Sequence, residues 1–168
     1  MACAFPRAIR VGQRIVFCFR GEFPFRPTLR FVPLSLVSTP LAGLSVNVFC
    51  TLFDSAYLPQ GLALLRSLVR HVPGARLWVL AMDDPCHRLL TGLAHPSLRV
   101  LRLQDSESEQ LRLVRPQRSW GEYCWTLTPF LPALVLARDP AADTVTYVDA
   151  DCWLPGPVAP LLDCLEAS

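Results

Sequence analysis

The sequence predicts an α/β fold, a Rossmann-like and mainly parallel sheet with flanking helices. Three observations predict it. Short runs rich in β-branched and aromatic residues, apolar on both faces, recur along the chain as buried parallel strands do. Segments with apolar residues at helical spacing separate them, which makes βαβ units. Three of the runs end in acids: Asp54, Asp83 with Asp84, and Asp149 with Asp151. Open α/β sheets bind ligands outside the carboxyl ends of their strands, so those acids fall where chemistry is expected.

The first strand is expected at Val46 to Leu52, followed by the turn and cap residues Phe53, Asp54 and Ser55. Leu58, Leu62, Leu65, Leu68, Val69 and Val72 then recur at helical spacing, with Pro59 in the first turn and Arg70 and His71 in the last. Pro73 and Gly74 stop this helix. A second strand follows at Leu77 to Met82. Asp84 and Pro85 read as an N-cap and first-turn proline for a helix carrying Leu89, Leu90 and Leu93. The third strand spans Leu98 to Leu103, and Gln104 to Gln110 reads as a polar loop. Arg115 to Arg138 predicts two short helices with a kink, the second capped by Thr128 and opened by Pro129. Asp139 and Pro140 turn the chain into the fourth strand, Thr144 to Val148. After Trp153, Pro155, Gly156, Pro157 and Pro160 break structure before a stub of helix at Leu161 to Glu166.

Residues 1–45 differ from the rest. Pro6, Pro24, Pro27, Pro33 and Pro40 stand among apolar and Arg residues with no sustained period, so an irregular extension is expected, with at most a short strand at Arg14 to Phe19. Its Arg-rich, nearly acid-free composition is shared with transit peptides. The domain proper occupies residues 46–168. Phe31 to Phe53 has no charged residue, but Pro33, Pro40, Gly43 and Asn47 interrupt it, and its last part doubles as the first strand, so no membrane span is expected.

A chain of 168 residues with 52% hydrophobic content buries one core. Sixteen basic against 14 acidic residues give a formal charge of +2, too balanced for a nucleic-acid partner. Seven cysteines with no C-x-x-C pair predict reduced thiols in a cytoplasmic setting. His71, His87 and His95 precede the last acids in helix or turn settings and read as surface or cap residues.

The stretch from Thr144 to Trp153 carries the sharpest signal. An apolar strand runs into Asp149-Ala150-Asp151, and on an extended backbone residues i and i+2 share a side, so the two carboxylates are presented together. Two like charges this close call for a cation, and a divalent metal carrying phosphates suits an all-oxygen site. A solvated acidic turn is the alternative. Asp83 and Asp84 read as ligand contacts or as solvated and capping residues, and Asp54 as a contact or a cap. Arg118 has the alternative of pairing with Glu122 at helical spacing, and Trp120, Tyr123 and Trp125 read as faces on which a base or sugar stacks or as core.

Val46 to Arg70 ("VNVFCTLFDSAYLPQGLALLRSLVR"), Leu77 to Asp84 ("LWVLAMDD"), Arg118 to Leu136 ("RSWGEYCWTLTPFLPALVL") and Val145 to Trp153 ("VTYVDADCW") together resemble the N-terminal half of a GT-A-fold glycosyltransferase. The likeness is to the nucleotide-diphospho-sugar transferases, near the glycogenin and lipopolysaccharide galactosyltransferase group, and covers Val46 to about Leu165. The resemblance implies that Thr51, Phe53 and Asp54 approach the nucleoside, that Asp83 or Asp84 contacts base or ribose, and that Arg118 lies near the diphosphate. Asp149 and Asp151 become ligands of Mn²⁺ or Mg²⁺ in a D-x-D motif, with Asp149 also at the donor. Such enzymes continue well beyond this motif to supply the acceptor site, whereas only 17 residues follow Asp151 here. The expectation is therefore a C-terminally truncated, donor-binding half that uses a nucleotide-diphosphate sugar. Two other functions stay open: a non-catalytic fragment that binds such a sugar weakly or not at all, and a haloacid-dehalogenase-like phosphatase with Asp149 as nucleophile.

Overall fold

The computed structural model describes the backbone of residues 14–18 and the chain from 47 to 157. It shows five strands: β1 (Arg14–Cys18), β2 (Val48–Phe53), β3 (Arg76–Ala81), β4 (Leu98–Arg102) and β5 (Thr144–Val148). All pair in parallel, in the order β1-β5-β2-β3-β4. The fold is the predicted α/β, Rossmann-like sheet. β1 corrects the expectation of an irregular extension: it falls at Arg14 to Phe19, where the sequence allows at most a short strand, and it pairs along the whole of β5, from Arg14 opposite Thr144 to Cys18 opposite Val148. Part of the N-terminal extension is thus built into the sheet. The proline-rich remainder of that extension, most of the uncharged stretch from Phe31 and the helix stub at Leu161 to Glu166 lie outside the described residues.

Chain direction explains the layers. Helices α1 (Leu58–His71) and α2 (Asp84–Gly92) cross from β2 to β3 and from β3 to β4 on one face. The chain then reverses, and α5 (Trp120–Leu127) and α6 (Phe130–Arg138) return it on the other face to β5, on the far side of β2. Right-handed crossovers require that switch of face when the direction of travel along the sheet changes. β2 is consequently the central strand, and all six of its residues are buried.

Strand alternation sorts the core. Val48, Cys50 and Leu52 of β2 face α5 and α6 with Tyr123, Leu127, Leu131, Val135, Val145 and Tyr147. Phe49 and Phe53 face α1 and α2 with Leu64, Leu65, Leu68, Val79, Cys86 and Leu90. A Cβ added at Gly61 in α1 would meet the Phe53 ring at 2.3 Å, so the missing side chain is what lets the helix lie this close to the strand. Burial pushes the Cys50 thiol well above its ordinary range and the Cys86 thiol to about 12, which leaves both as core thiols rather than nucleophiles.

Several expectations need correction. The polar loop at Gln104 to Gln110 is two short helices, α3 (Leu103–Ser106) and α4 (Glu109–Val114), the second capped by the Ser108 hydroxyl, which accepts from the Leu111 N–H at 3.3 Å. Leu103 and Leu111 join the core from this segment, and that burial outweighs its polar composition. The cap of α2 is Asp83, not Asp84, because the extended backbone at 83 lets its carboxylate turn back to the Cys86 N–H at 2.8 Å. Thr128 does not cap α6. It is already helical, and its hydroxyl donates to the Cys124 carbonyl at 3.1 Å, while Pro129 holds the N-cap position without a side-chain bond. α5 opens at Ser119-Trp120-Gly121-Glu122 with a full capping box, in which the Ser119 hydroxyl and the Glu122 carboxylate satisfy one another's backbone N–H groups.

Among the described residues no helix is long and apolar enough to cross a membrane.

Candidate functional site

The reversal in strand order puts a switch point between β2 and β5, and the crevice outside the carboxyl ends there is where such sheets bind ligands. Asp54 follows β2 and Asp149 follows β5, one on each side of it.

Asp54 and Asp83 are held in a belt of hydrogen bonds along this edge. Asp54 Oδ1 accepts from the N–H groups of Ala56 at 3.0 Å and Tyr57 at 3.4 Å, capping a 3₁₀ turn at Ser55–Tyr57. Its Oδ2 accepts from the Trp120 indole N–H at 3.0 Å, which ties the start of α5 to the end of β2. Asp83 Oδ2 accepts from both the N–H (3.0 Å) and the hydroxyl (2.7 Å) of Ser55, and Oδ1 caps α2. Asp84 forms an ion pair with Arg102 at the end of β4, at 2.9 Å. Capping and bridging are therefore the jobs of Asp54 and Asp83, and ion pairing that of Asp84.

Burial pushes the Asp83 carboxyl up, but the three hydrogen bonds from Ser55 and Cys86 outweigh it and hold the group below its ordinary 3.8. A carboxylate with a depressed folded pKa contributes stability that is present above the unfolded value and lost as pH falls through the folded one. Asp83→Ala is expected to cost about 1 to 2 kcal/mol near neutral pH, the usual loss for an acidic N-cap. The gap between wild type and variant in urea melts should narrow below pH 4, about the unfolded carboxyl pKa. A gap that stays constant from pH 6 to pH 3 would sink this assignment.

The D-x-D segment does not have the extended geometry expected of it. β5 ends at Val148, and the Cys152 N–H donates to the Asp149 carbonyl at 3.0 Å, closing a tight turn. Alternation nonetheless persists through packing. Ala150, Cys152 and Leu154 pack into the core beneath α1 and α2, while Asp149 is half-buried and Asp151 and Trp153 are exposed. Asp149 lies on the α5–α6 side of the sheet, beside Tyr147. Burial keeps the Tyr147 phenol protonated, and the Asp149 carboxylate acts in the same direction.

Among the described residues no group of three or more His, Cys, Asp or Glu side chains is placed to hold a metal. Two carboxylates on one turn still fit Mg²⁺ or Mn²⁺, because hard cations of this kind take one or two protein carboxylates and complete their shell with water and phosphate oxygens.

The remaining candidates divide. Thr51 is 0% exposed, and alternation turns it into the α1 face of the sheet, so its side chain is closed to a ligand. Phe53 is 4% exposed beneath Gly61, which leaves only its main chain at the edge. Arg118 is exposed just before α5 and helps to hold the Glu122 carboxyl low, after the hydrogen bonds from Ser119. Tyr123 is core at 1% exposure, whereas Trp120 and Trp125 are 40% and 54% exposed.

Arg115 is the residue that sequence reasoning missed. Its guanidinium lies 5.6 Å from the centre of the Trp120 ring and 5.8 Å from that of Tyr123, and 3.4 Å from Glu107 Oε1, which also accepts from the Tyr123 hydroxyl at 2.5 Å. It lines a small cleft outside β3 and β4 with Met82, Asp83, Asp84, Arg102 and Gln104. The available signal was the capping box at Ser119, which fixes where α5 begins and so which way Trp120 points.

In comparisons with known proteins, no family model matches the chain. It is 30% identical over 117 residues to the uncharacterized protein YfnF of Bacillus subtilis (strain 168), covering 70% of this chain and 39% of YfnF. It is 25% identical over 105 residues to the uncharacterized protein YfnD of the same organism, covering 62% of this chain and 34% of YfnD. The chain thus spans between one third and two fifths of the length of these relatives. Among solved structures it is similar to the apo form of the glycosyltransferase GlyE of Streptococcus pneumoniae TIGR4, with 18% identity, 68% of this chain and 25% of that chain covered, and a TM-score of 0.43. It is also similar to the bifunctional glycosyltransferase WbbM in its apo form, with 23% identity, 75% and 22% covered, and a TM-score of 0.44.

Proposed function

We propose that this chain binds a nucleotide-diphosphate sugar at the carboxyl edge of its sheet, as the donor-binding part of a GT-A-type glycosyltransferase. The observation that carries the reading is the Asp149-Ala150-Asp151 turn directly after β5, beside the switch point between β2 and β5. The sequence resemblance described above supports the same reading.

Asp149 and Asp151 would hold Mn²⁺ or Mg²⁺, and Ala150 between them leaves the main chain approachable. Such an ion, when bound, offsets negative charge on a departing nucleoside diphosphate. The residues of the chain do the rest. The main chain at Phe53 and Asp54 borders the nucleoside, and the cleft at Asp83 and Asp84 receives base or ribose. Arg118 brings positive charge to the diphosphate side of the edge, and Arg115, paired with Glu107, lines the cleft at Asp83 and Asp84. The aromatic faces beneath the Arg115 guanidinium favour keeping the cation there. Thr51, being buried, contributes to the strand and not to the site.

Thermal melting of the chain with a panel of nucleotide sugars, in Mn²⁺ and again in EDTA, tests this function. A ligand at one hundred times its Kd adds about 2.7 kcal/mol of stability, so at least one sugar should raise the melting temperature by several degrees, in metal only. No shift with any of them would reject the proposal. Covalent phosphorylation of Asp149 by a phosphate ester would instead assign the chain to the haloacid-dehalogenase-like phosphatases.

A further inference from the structure

We infer that Ser67, in the buried face of α1, is a positioning residue for the carboxylate turn: its hydroxyl oxygen holds the main chain at Leu154 and thereby sets how Asp149 and Asp151 are presented to a divalent cation. The inference rests on the metal-binding role proposed above for that pair.

Ser67 is 0% exposed and lies among Leu64, Leu65 and Leu68, on a helix face that is otherwise apolar. A hydroxyl in such surroundings is destabilising unless its hydrogen bonds are made. Its proton goes to the Leu64 carbonyl, one turn back, at 2.9 Å. The oxygen is then left as an acceptor, and the Leu154 N–H donates to it at 3.3 Å across 87 residues of sequence.

This bond lies three residues beyond Asp151. Between the two, the chain is set by packing of Ala150, Cys152 and Leu154 on the α1–α2 core and by the Cys152 N–H to Asp149 carbonyl turn. Apolar packing is non-directional and leaves the segment free to slide along the helix. The hydrogen bond to Ser67 fixes its register, and with it the alternation that keeps Asp149, Asp151 and Trp153 off the α1–α2 core. β5 anchors the turn on its other side through its pairing with β1 and β2. The carboxylates therefore stand between two fixed points, one of which is a single side chain.

Residues that orient metal ligands from outside the ligand set are worth about 10- to 100-fold in metal affinity. Ser67 acts through the main chain, so about tenfold, the low end of that range, is expected. The test is titration of the full chain with Mn²⁺ alone, followed by loss of the free-ion electron paramagnetic resonance signal, well below the melting temperature of every variant. Wild type should bind, and Asp151→Ala should lose the site. Ser67→Ala should bind about tenfold more weakly while Leu154→Ala, which keeps the N–H, stays within twofold of wild type.

If wild type binds and Ser67→Ala is within twofold of it, the inference is overturned, whatever happens to its melting temperature, because a merely structural serine would lower stability alone. If wild type fails to bind, or Asp151→Ala binds as well as wild type, the metal-site reading itself fails and takes the inference with it. Should Ser67→Ala not melt cooperatively, Leu154→Pro removes the same N–H without touching α1. Measured against Leu154→Ala, it is expected to show the same tenfold loss, and equal affinities of the two would overturn the inference.

Discussion

Arg76→Met is expected to destabilise the fold by about 3 kcal/mol, the lower end of the cost of breaking a buried ion pair. Arg76 begins β3, and its guanidinium lies 3.1 Å from the Asp139 carboxylate at the end of α6, with the aspartate side chain 6% exposed and the arginine 24%. The approach lacks hydrogen-bond geometry, so the attraction is Coulombic. Met keeps the aliphatic stem and removes only the charge, leaving Asp139 as a buried carboxylate with its countercharge gone. Arg76 is the more exposed partner, so the reverse change, Asp139→Leu, strands a charge that water reaches more easily and should cost less. Joining the two changes should recover part of the loss, since an apolar pair in place of an ion pair is often near neutral. Urea melts of the two single variants and the double variant would measure this. A loss under 1 kcal/mol for Arg76→Met, or a double variant whose loss is the plain sum of the singles, would remove the pair from the account of stability.

The largest effect on binding is expected at the carboxylate turn. Asp151→Asn should lower metal-dependent affinity for a nucleotide sugar by at least about 100-fold, because in a two-carboxylate site each charge is half of the protein's contribution to a hard cation. Asp149→Asn should be at least as damaging to binding, and it alone should also disturb the fold. Asp149 is half-buried beside Tyr147, whereas Asp151 is exposed on the turn. Competition between the protein and a metal-indicator dye, with the nucleotide sugar present, separates the two variants from wild type. Retained affinity in Asp151→Asn would mean that the turn is a solvated one, and the site would have to be sought at the cleft beside Arg115.

Most of the scaffold was legible because its signals are local. The helical spacing of Leu58, Leu62, Leu65 and Leu68 and the stop at Pro73-Gly74 placed α1 to within a residue of its observed end at His71. Runs apolar on both faces gave a parallel sheet, and β2 is indeed buried throughout. What was not legible depends on pairs far apart in sequence. That Asp83 takes two hydrogen bonds from Ser55, and Asp54 one from Trp120, follows from β2, β3 and α5 meeting at one edge. No spacing along the chain records it. Asp139 read as a turn residue because its partner, Arg76, lies at the start of another strand.

The D-x-D segment was legible for a reason other than the one its pattern suggested. Its two acids are presented because their even-numbered neighbours are buried under α1, and not because the strand continues through them. Thr51 illustrates the converse. A resemblance carried it to the ligand, while the period-two alternation of β2 turned it into the core.

Isothermal titration of the wild-type chain with nucleotide-diphosphate sugars, first with Mn²⁺ and then with EDTA, tests the proposed donor site most directly. Saturable heat with at least one such sugar in Mn²⁺, abolished by EDTA and by Asp151→Ala, is the predicted result. No metal-dependent heat with any of them, or a titration that Asp151→Ala leaves unchanged, would contradict a donor site built on Asp149 and Asp151.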